Sequence, residues 1–286
     1  IAEQVETPET TTGLLKREVV RVVSPGTLMQ SQLLQEKSHN FFASLTEGVS
    51  GFGLSFVDLS TGELFASEWD TWPRLTNELY RLHPKELLLS HACQTKHSAA
   101  IEELKRQMKC LVSQEEDWMF DLSRSQDFLL RHLELLQLDG LGLDKMPLAT
   151  KATGGLLLYL QNRLSLSIQH IRSVKTYLAS EYMMIDKTTQ RNLEIYTPLR
   201  EGGASNTLLS VLDETFTPMG GRLLQNWLKQ PLLSPVLIGQ RQDGVSYFLQ
   251  HPSLLAGLRN ALSPIRDLDR LMGRIQTNLC SPRDLQ

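Results

Sequence analysis

Cysteine is scarce in this chain. Cys93, Cys110 and Cys280 are the three present among 286 residues, and no two are spaced as CxxC. An odd, scattered set excludes a disulfide scaffold or a zinc ribbon and suits free thiols in a reducing cytoplasm. Long apolar runs are missing too. The longest, Leu156–Leu160, has five residues, far from the ~18 of a membrane-spanning helix. An excess of positive charge is also lacking. The 29 Lys+Arg against 32 Asp+Glu give a net −3, so no global basic field drives nucleic-acid binding by counterion release. Residues 191–286 carry 10 Lys+Arg against 8 Asp+Glu, and residues 1–190 carry 19 against 24. That tilt is too small to nominate a DNA-binding face. Ile1 with Glu3 and Glu6 does not begin a signal peptide. A start without Met and a stop at Ser281-Pro-Arg-Asp-Leu-Gln286 read as a piece of a longer protein.

Nucleotide and hydrolase signatures are equally wanting. A P-loop needs Gly-x4-Gly-Lys-Ser/Thr, yet no Gly-Lys dipeptide occurs, and GxGxxG and the GxSxG elbow are absent. The glycine pairs Gly154-Gly155, Gly202-Gly203 and Gly220-Gly221 therefore carry no nucleotide site. Gly51-Phe-Gly53 and Gly140-Leu-Gly142 read as strand-entry and loop glycines. No catalytic, cofactor-binding or metal-binding residue is nominated.

What the chain has is core. At 41% hydrophobic it can bury one large core or two moderate ones. Lys16-Arg-Glu-Val-Val-Arg-Val-Val23 reads as a strand closed by Ser24-Pro25-Gly26, with nothing local to pair with. Gly51–Asp58 and Glu63–Glu68 are two strands flanking a Ser-Thr-Gly turn, a hairpin signal. Trp72–Leu82 has helical spacing and stops at Pro84. Glu86–Ser90 reads as a buried strand, Ala99–Met108 as a helix and Cys110–Val112 as a strand, with helices around 125–136 and 150–164. Helix and strand alternating after a hairpin imply an α/β sheet with helices on its faces.

Beyond His170 the pattern turns helical. Met183-Met-Ile185 allows one short strand, and Asp186 caps a helix through Glu194. Thr217-Pro218, Ser234-Pro235, Ser263-Pro264 and Ser281-Pro282 each place a capping hydroxyl before a proline suited to the first helical position. Met219, Leu223, Leu224, Trp227 and Leu228 share one face of the first of these helices, which Pro231 stops. Trp227 and its leucines are expected in the core. Ile265, Leu268, Leu271, Met272, Ile275 and Leu279 make a second stripe.

Some residues suggest chemistry and have bland readings beside it. Asp58, at a strand end in Phe-Val-Asp-Leu-Ser-Thr-Gly62, stands where ribonuclease-H-like nucleases hold a first carboxylate, with Glu63, Glu68 and Asp70 nearby. A two-metal site needs carboxylates converging from several elements; the alternative is a turn aspartate bonding its own backbone. His91, Cys93 and His97 fit no common zinc spacing. Arg191, Arg200, Arg222 and Arg241 could meet phosphate, or be helix-surface charge with local pairs such as Asp267–Arg270.

The order Lys16–Thr27, Gly51–Leu64, Asn192–Ile195 and Asn206–Leu228 resembles the MutS family of DNA mismatch repair proteins over essentially the whole chain. The resemblance implies an α/β part followed by an all-α part. Residues 1–26 would end the mismatch-binding domain and 27–37 form a linker. Residues 38–170 would form a ribonuclease-H-like connector, and 171–286 the first segment of the helical core (lever) domain. It further implies a non-catalytic scaffold within a dimeric ATPase that binds mismatched double-stranded DNA, uses ATP and Mg, and recruits MutL through the connector. The mismatch-reading and ATPase residues of the family have no positions here. The alternatives are a ribonuclease-H-like nuclease and a stand-alone helical adaptor.

Overall fold

The computed structural model describes residues 2–4, 17–19, 22–196, 198–199, 206–281 and 284. Strand β1 (Ala2–Gln4) pairs antiparallel with β2 (Arg17–Val19). The run expected to stand alone at Lys16–Val23 thus has a partner. Its described strand is shorter than the β-branched run, and Val22 donates its N–H to Leu164 O instead (3.1 Å).

The main sheet has six strands. β3 (Phe41–Gly48), β4 (Gly51–Asp58) and β5 (Glu63–Trp69) form an antiparallel meander. The β4–β5 turn closes through Asp58 O, which accepts from Thr61 N and Gly62 N, with Gly62 at φ +75, a backbone region that glycine enters without penalty. Helix α1 (Trp72–Leu82) leads to β6 (Glu86–Ser90), which lies parallel to β3. Helices α2 (His91–Lys96) and α3 (Ser98–Met108) lead to β7 (Leu111–Glu115), parallel to β6. After α4 (Leu122–His132) and α5 (Pro147–Asn162), β8 (Val174–Thr176) adds parallel to β5. The order β7-β6-β3-β4-β5-β8, with β4 alone running against the rest, suits a ribonuclease-H-like α/β domain.

Alternation along β3 divides the core. Phe41, Ala43 and Leu45 pack with α1 and α3 through Leu75, Leu79 and Ile101. Phe42 faces α4 and α5 with Leu129, Leu156 and Leu157. α5 can lie so close because Gly154 and Gly155 meet Ser125 and Phe120; a Cβ there would stand 2.3 and 2.5 Å from their side chains. Tight helix packing, not phosphate, explains that pair.

The helical part follows: α6 (Lys187–Asn192), α7 (Leu208–Leu212), α8 (Pro218–Lys229), α9 (Pro235–Gln250), α10 (Pro252–Leu262) and α11 (Leu268–Gln276). Asp186, Thr217 and Ser234 cap their helices as the sequence implies, each accepting the N–H of the third residue onward. Two expectations fail. Met183–Ile185 forms no strand; Met183 N donates to Pro231 O (2.9 Å), beside an isolated bridge between Tyr182 and Leu232. Ser263-Pro264 does not start a helix. Ser263 ends α10, and Asp267 caps α11 because its carboxylate accepts from Arg270 N, a stronger acceptor than a hydroxyl. Pro282 lies outside the described residues.

Candidate functional site

The carboxylates offered for nuclease chemistry disperse. Glu63 pairs with Lys175 (2.7 Å), and Asp70 pairs with Arg74 on the surface (3.0 Å). Glu68 caps α5, accepting from Leu148 N and Ala149 N at 2.6 and 3.0 Å. Asp58 alone is fully buried. Its Oδ1 accepts from Ser60 N (3.0 Å) and Ser60 Oγ (2.6 Å), and its Oδ2 meets Asn40 N (3.1 Å) and His39 Nδ1 (3.0 Å). Burial alone would push this carboxyl up, but His39, Ser60 and Asn40 together hold it below the usual carboxylate range. It is a turn aspartate that also anchors what precedes β3.

His91, Cys93 and His97 also part company. His97 stacks on Trp72 with centroids 4.4 Å apart and meets Glu47 at 3.1 Å, whereas His91 bonds Gln114. Cys93 is buried, and burial pushes its thiol up to about 12. Among the described residues no three His, Cys, Asp or Glu side chains group as metal ligands.

What Asp58 does reach is the helical segment. Ser60 Oγ accepts from Arg270 Nε (3.1 Å), whose remaining nitrogens donate to Gln35 O (2.9 Å) and Ser38 O (2.6 Å). Arg270 sits on α11 and is 3% exposed. Arg222, on α8 and 2% exposed, grips Asp267 with two nitrogens (2.6 and 2.8 Å), Asp269 at 3.0 Å and Glu36 O at 3.1 Å. Burial lowers the pKa of Arg270, while for Arg222 the two aspartates outweigh burial and raise it. Both stay charged, as guanidinium does in proteins. The segment 35–38 that leads into β3 is thus clasped by two arginines from separate helices.

Close backbone approach completes the joint. A Cβ on Gly273 would stand 2.5 Å from Ser60 O, and one on Gly221 2.6 Å from the Lys37 stem. Lys37 reaches on to Asp213 (2.9 Å) and Thr215 O (3.1 Å). His39 Nε2 lies 3.2 Å from Asn226 Nδ2 on α8. His170 Nε2 caps Leu59 O at 2.8 Å. Arg270, Arg222, Lys37 and His39 carry polar contacts between the sheet side and the helical segment, so the arrangement can hold an angle between two bodies.

Of the four arginines offered for phosphate, Arg222 is committed to the joint. Arg241 lies 3.9 Å over the Trp227 ring, Arg191 is exposed, and Arg200 lies outside the described residues, as do Gly202 and Gly203. The expectation that Trp227 is core is wrong: it is 41% exposed, and Leu223 51%. α8 turns Gly221 and Arg222 toward the linker, leaving that stripe outward. The joint was foreshadowed in the sequence only by Gly-Gly-Arg222 and Asp267-x-x-Arg270, both read there as local features.

No helix among the described residues is long and apolar enough to cross a membrane. Three family models match in succession: MutS domain I over residues 1–32, MutS domain II over 40–172 and MutS domain III over 188–286. The DNA mismatch repair protein MutS of Protochlamydia amoebophila is 48% identical over 285 residues, covering all of this chain and 33% of that protein. MutS of Chlamydia pneumoniae is 38% identical over 96% of this chain and 33% of its own. MutS of Symbiobacterium thermophilum is 38% identical over the whole chain and 33% of its own. The chain spans about a third of the length of the curated relatives it matches. With three successive domains matched in order, the chain belongs to the MutS family of DNA mismatch repair proteins.

Proposed function

We propose that this chain is a non-catalytic scaffold within a mismatch repair ATPase, acting in the cytoplasm, that recognises mispaired double-stranded DNA and signals to MutL. Residues 1–26 would close the mismatch-binding domain, 27–37 link it, 38–170 form the connector and 171–286 begin the helical core. ATP and Mg would act elsewhere in a homodimeric parent. The observation that supports this reading is the Arg222–Asp267 and Arg270–Ser60–Asp58 joint. It lets displacement at the sheet move the helices as one body, which a relay between distant sites requires.

The test uses the 286-residue chain itself. Mixed with a cognate MutL protein, it should crosslink through residues 38–170; crosslinks confined to other residues, or none, overturn the partner assignment. The chain alone should show no ATP turnover above a mock preparation. It should also prefer mismatched over matched duplex by less than tenfold, about 1.4 kcal/mol.

A further inference from the structure

Between the linker, the α1–β6 turn and α8 lies a cavity of about 390 Å³, within the size range of small-molecule sites. His83 and Lys85 enter it from the turn and Lys229 from the end of α8, and among the described residues no Asp or Glu lines it. His39 also reaches it, but its Nδ1 is committed to Asp58. The lining also includes the apolar side chains of Leu28, Phe41 and Leu82.

Some lysines of this chain find carboxylates: Lys37 has Asp213, Lys96 has Glu47 and Lys175 has Glu63. The side-chain ammonium groups of Lys85 and Lys229 make no ion pair or hydrogen bond with a described residue; that of Lys229 lies 5.5 Å from the Tyr196 ring. The nearby Arg81 cannot supply counter-charge and is itself tied to Glu78 (2.7 Å). Burial, then Arg81 and Lys85, pull the Lys229 pKa down to about 8, and burial with Lys85, Lys229 and Lys187 lowers that of His83. Two lysine ammonium groups thus share one cavity whose lining offers no carboxylate.

We infer that this cavity binds a small phosphate ester of about mononucleotide size, its phosphate held by Lys85, Lys229 and His83 and its apolar portion against Phe41 and Leu82. A dianion with several acceptor oxygens offsets convergent cations better than a single carboxylate does, and lysine serves phosphate as a point charge. Because Lys229 belongs to α8 and the other two to the sheet domain, occupancy bridges the two bodies and stabilises their joint by mass action. The inference is independent of the mismatch-repair reading.

AMP, inorganic pyrophosphate and inorganic phosphate are titrated into the 286-residue chain at constant ionic strength, followed by calorimetry and thermal unfolding. Saturable AMP binding is expected, with a rise in Tm that sodium chloride does not reproduce. The Lys85→Met/Lys229→Met variant should weaken AMP at least tenfold, whereas Lys145→Met, at an exposed site, should not. Removing repelled charge should leave the unliganded double variant at least as stable as the parent, so loss of binding is not loss of fold. A shift of the His83 imidazole NMR signals on AMP addition gives a second readout in the unmutated chain. Absence of saturable binding, binding unchanged in the double variant, or an unmoved His83 signal overturns the proposal. Displacement of AMP by a short duplex DNA would reassign the phosphate to a nucleic-acid backbone and overturn the small-ligand reading.

Discussion

The sheet domain and the helical segment differ in how much apolar side chain they bury. Between residues 29 and 174 the interior is mostly apolar, with Phe42, Leu45, Leu54 and Leu156 wholly enclosed and polar groups such as Asp58 and Glu86 set among them. In residues 206–281 the buried side chains are Thr207, Thr217, Arg222 and Arg270, with Gly221 and Gly273 beside them, while Leu223, Trp227, Leu268 and Met272 are exposed. Apolar burial stabilises a domain from within by roughly 25 cal/mol per Å². Buried guanidinium groups do not stabilise in that way; they hold only while every partner is in place. The first region is therefore expected to fold on its own contacts, and the second to take its order from the joint and from whatever covers its apolar faces.

Breaking the clasp gives the largest expected effect. Arg222→Ala strands Asp267 and Asp269 beside the linker, and removing one partner of a buried pair costs about 3–5 kcal/mol. Hydrogen exchange should show α8 and α11 losing protection while β3–β6 keep theirs. Equal loss in the sheet would mean that the two regions are one cooperative unit. Gly273→Ala tests the same joint sterically. Its methyl would meet Ser60 O, and overpacking of this kind costs about 1–3 kcal/mol, more than the helix-propensity gain of about 1 kcal/mol. A stabilised variant would show that α11 does not seat on the β4–β5 turn.

How much of this was legible beforehand follows from the range of the interactions involved. The β4–β5 hairpin, α1 and β6 were readable because their signals are local: alternation, a Ser-Thr-Gly turn, a helical stripe ending at Pro84. β3 escaped notice because Phe41–Leu45 is buried on both faces, so it shows no alternation to read. The joint was illegible for another reason. Arg222 meets Glu36 O across 186 residues and Arg270 meets Gln35 O across 235, and no pattern inside α8 or α11 announces acceptors that far away. Charge placed on a helix looks alike whether it faces water or a distant backbone carbonyl.

Acid sharpens the comparison by a smaller amount. Asp58 titrates lower in the folded chain than the ordinary carboxylate. Its contribution is therefore fully present above about pH 4, the unfolded value, and is lost as pH falls through the lower folded pKa. Asp58→Asn should flatten the stability profile below pH 4 and lower stability at neutral pH, since an amide nitrogen facing Ser60 and Asn40 offers a donor where an acceptor is needed. An unchanged acid limb in the variant would show that other carboxylates carry it.

The smallest effect discriminates most finely. Leu156→Ala, in the enclosed core, should cost about 2–5 kcal/mol. Leu223→Ala removes the same atoms from a side chain 51% exposed and should cost under about 0.5 kcal/mol, as surface substitutions do. The contrast holds for a monomer only. If the outward stripe of α8 and α11 is covered when chains meet, as exposed apolar patches of this extent tend to be, the cost of Leu223→Ala should rise with concentration while that of Leu156→Ala stays fixed. Sedimentation alongside denaturant unfolding at two concentrations decides it. A Leu223→Ala cost as large as that of Leu156→Ala in a strictly monomeric sample would mean that the stripe is already covered within one chain, and the division between an apolar domain and an ion-clasped one would fall.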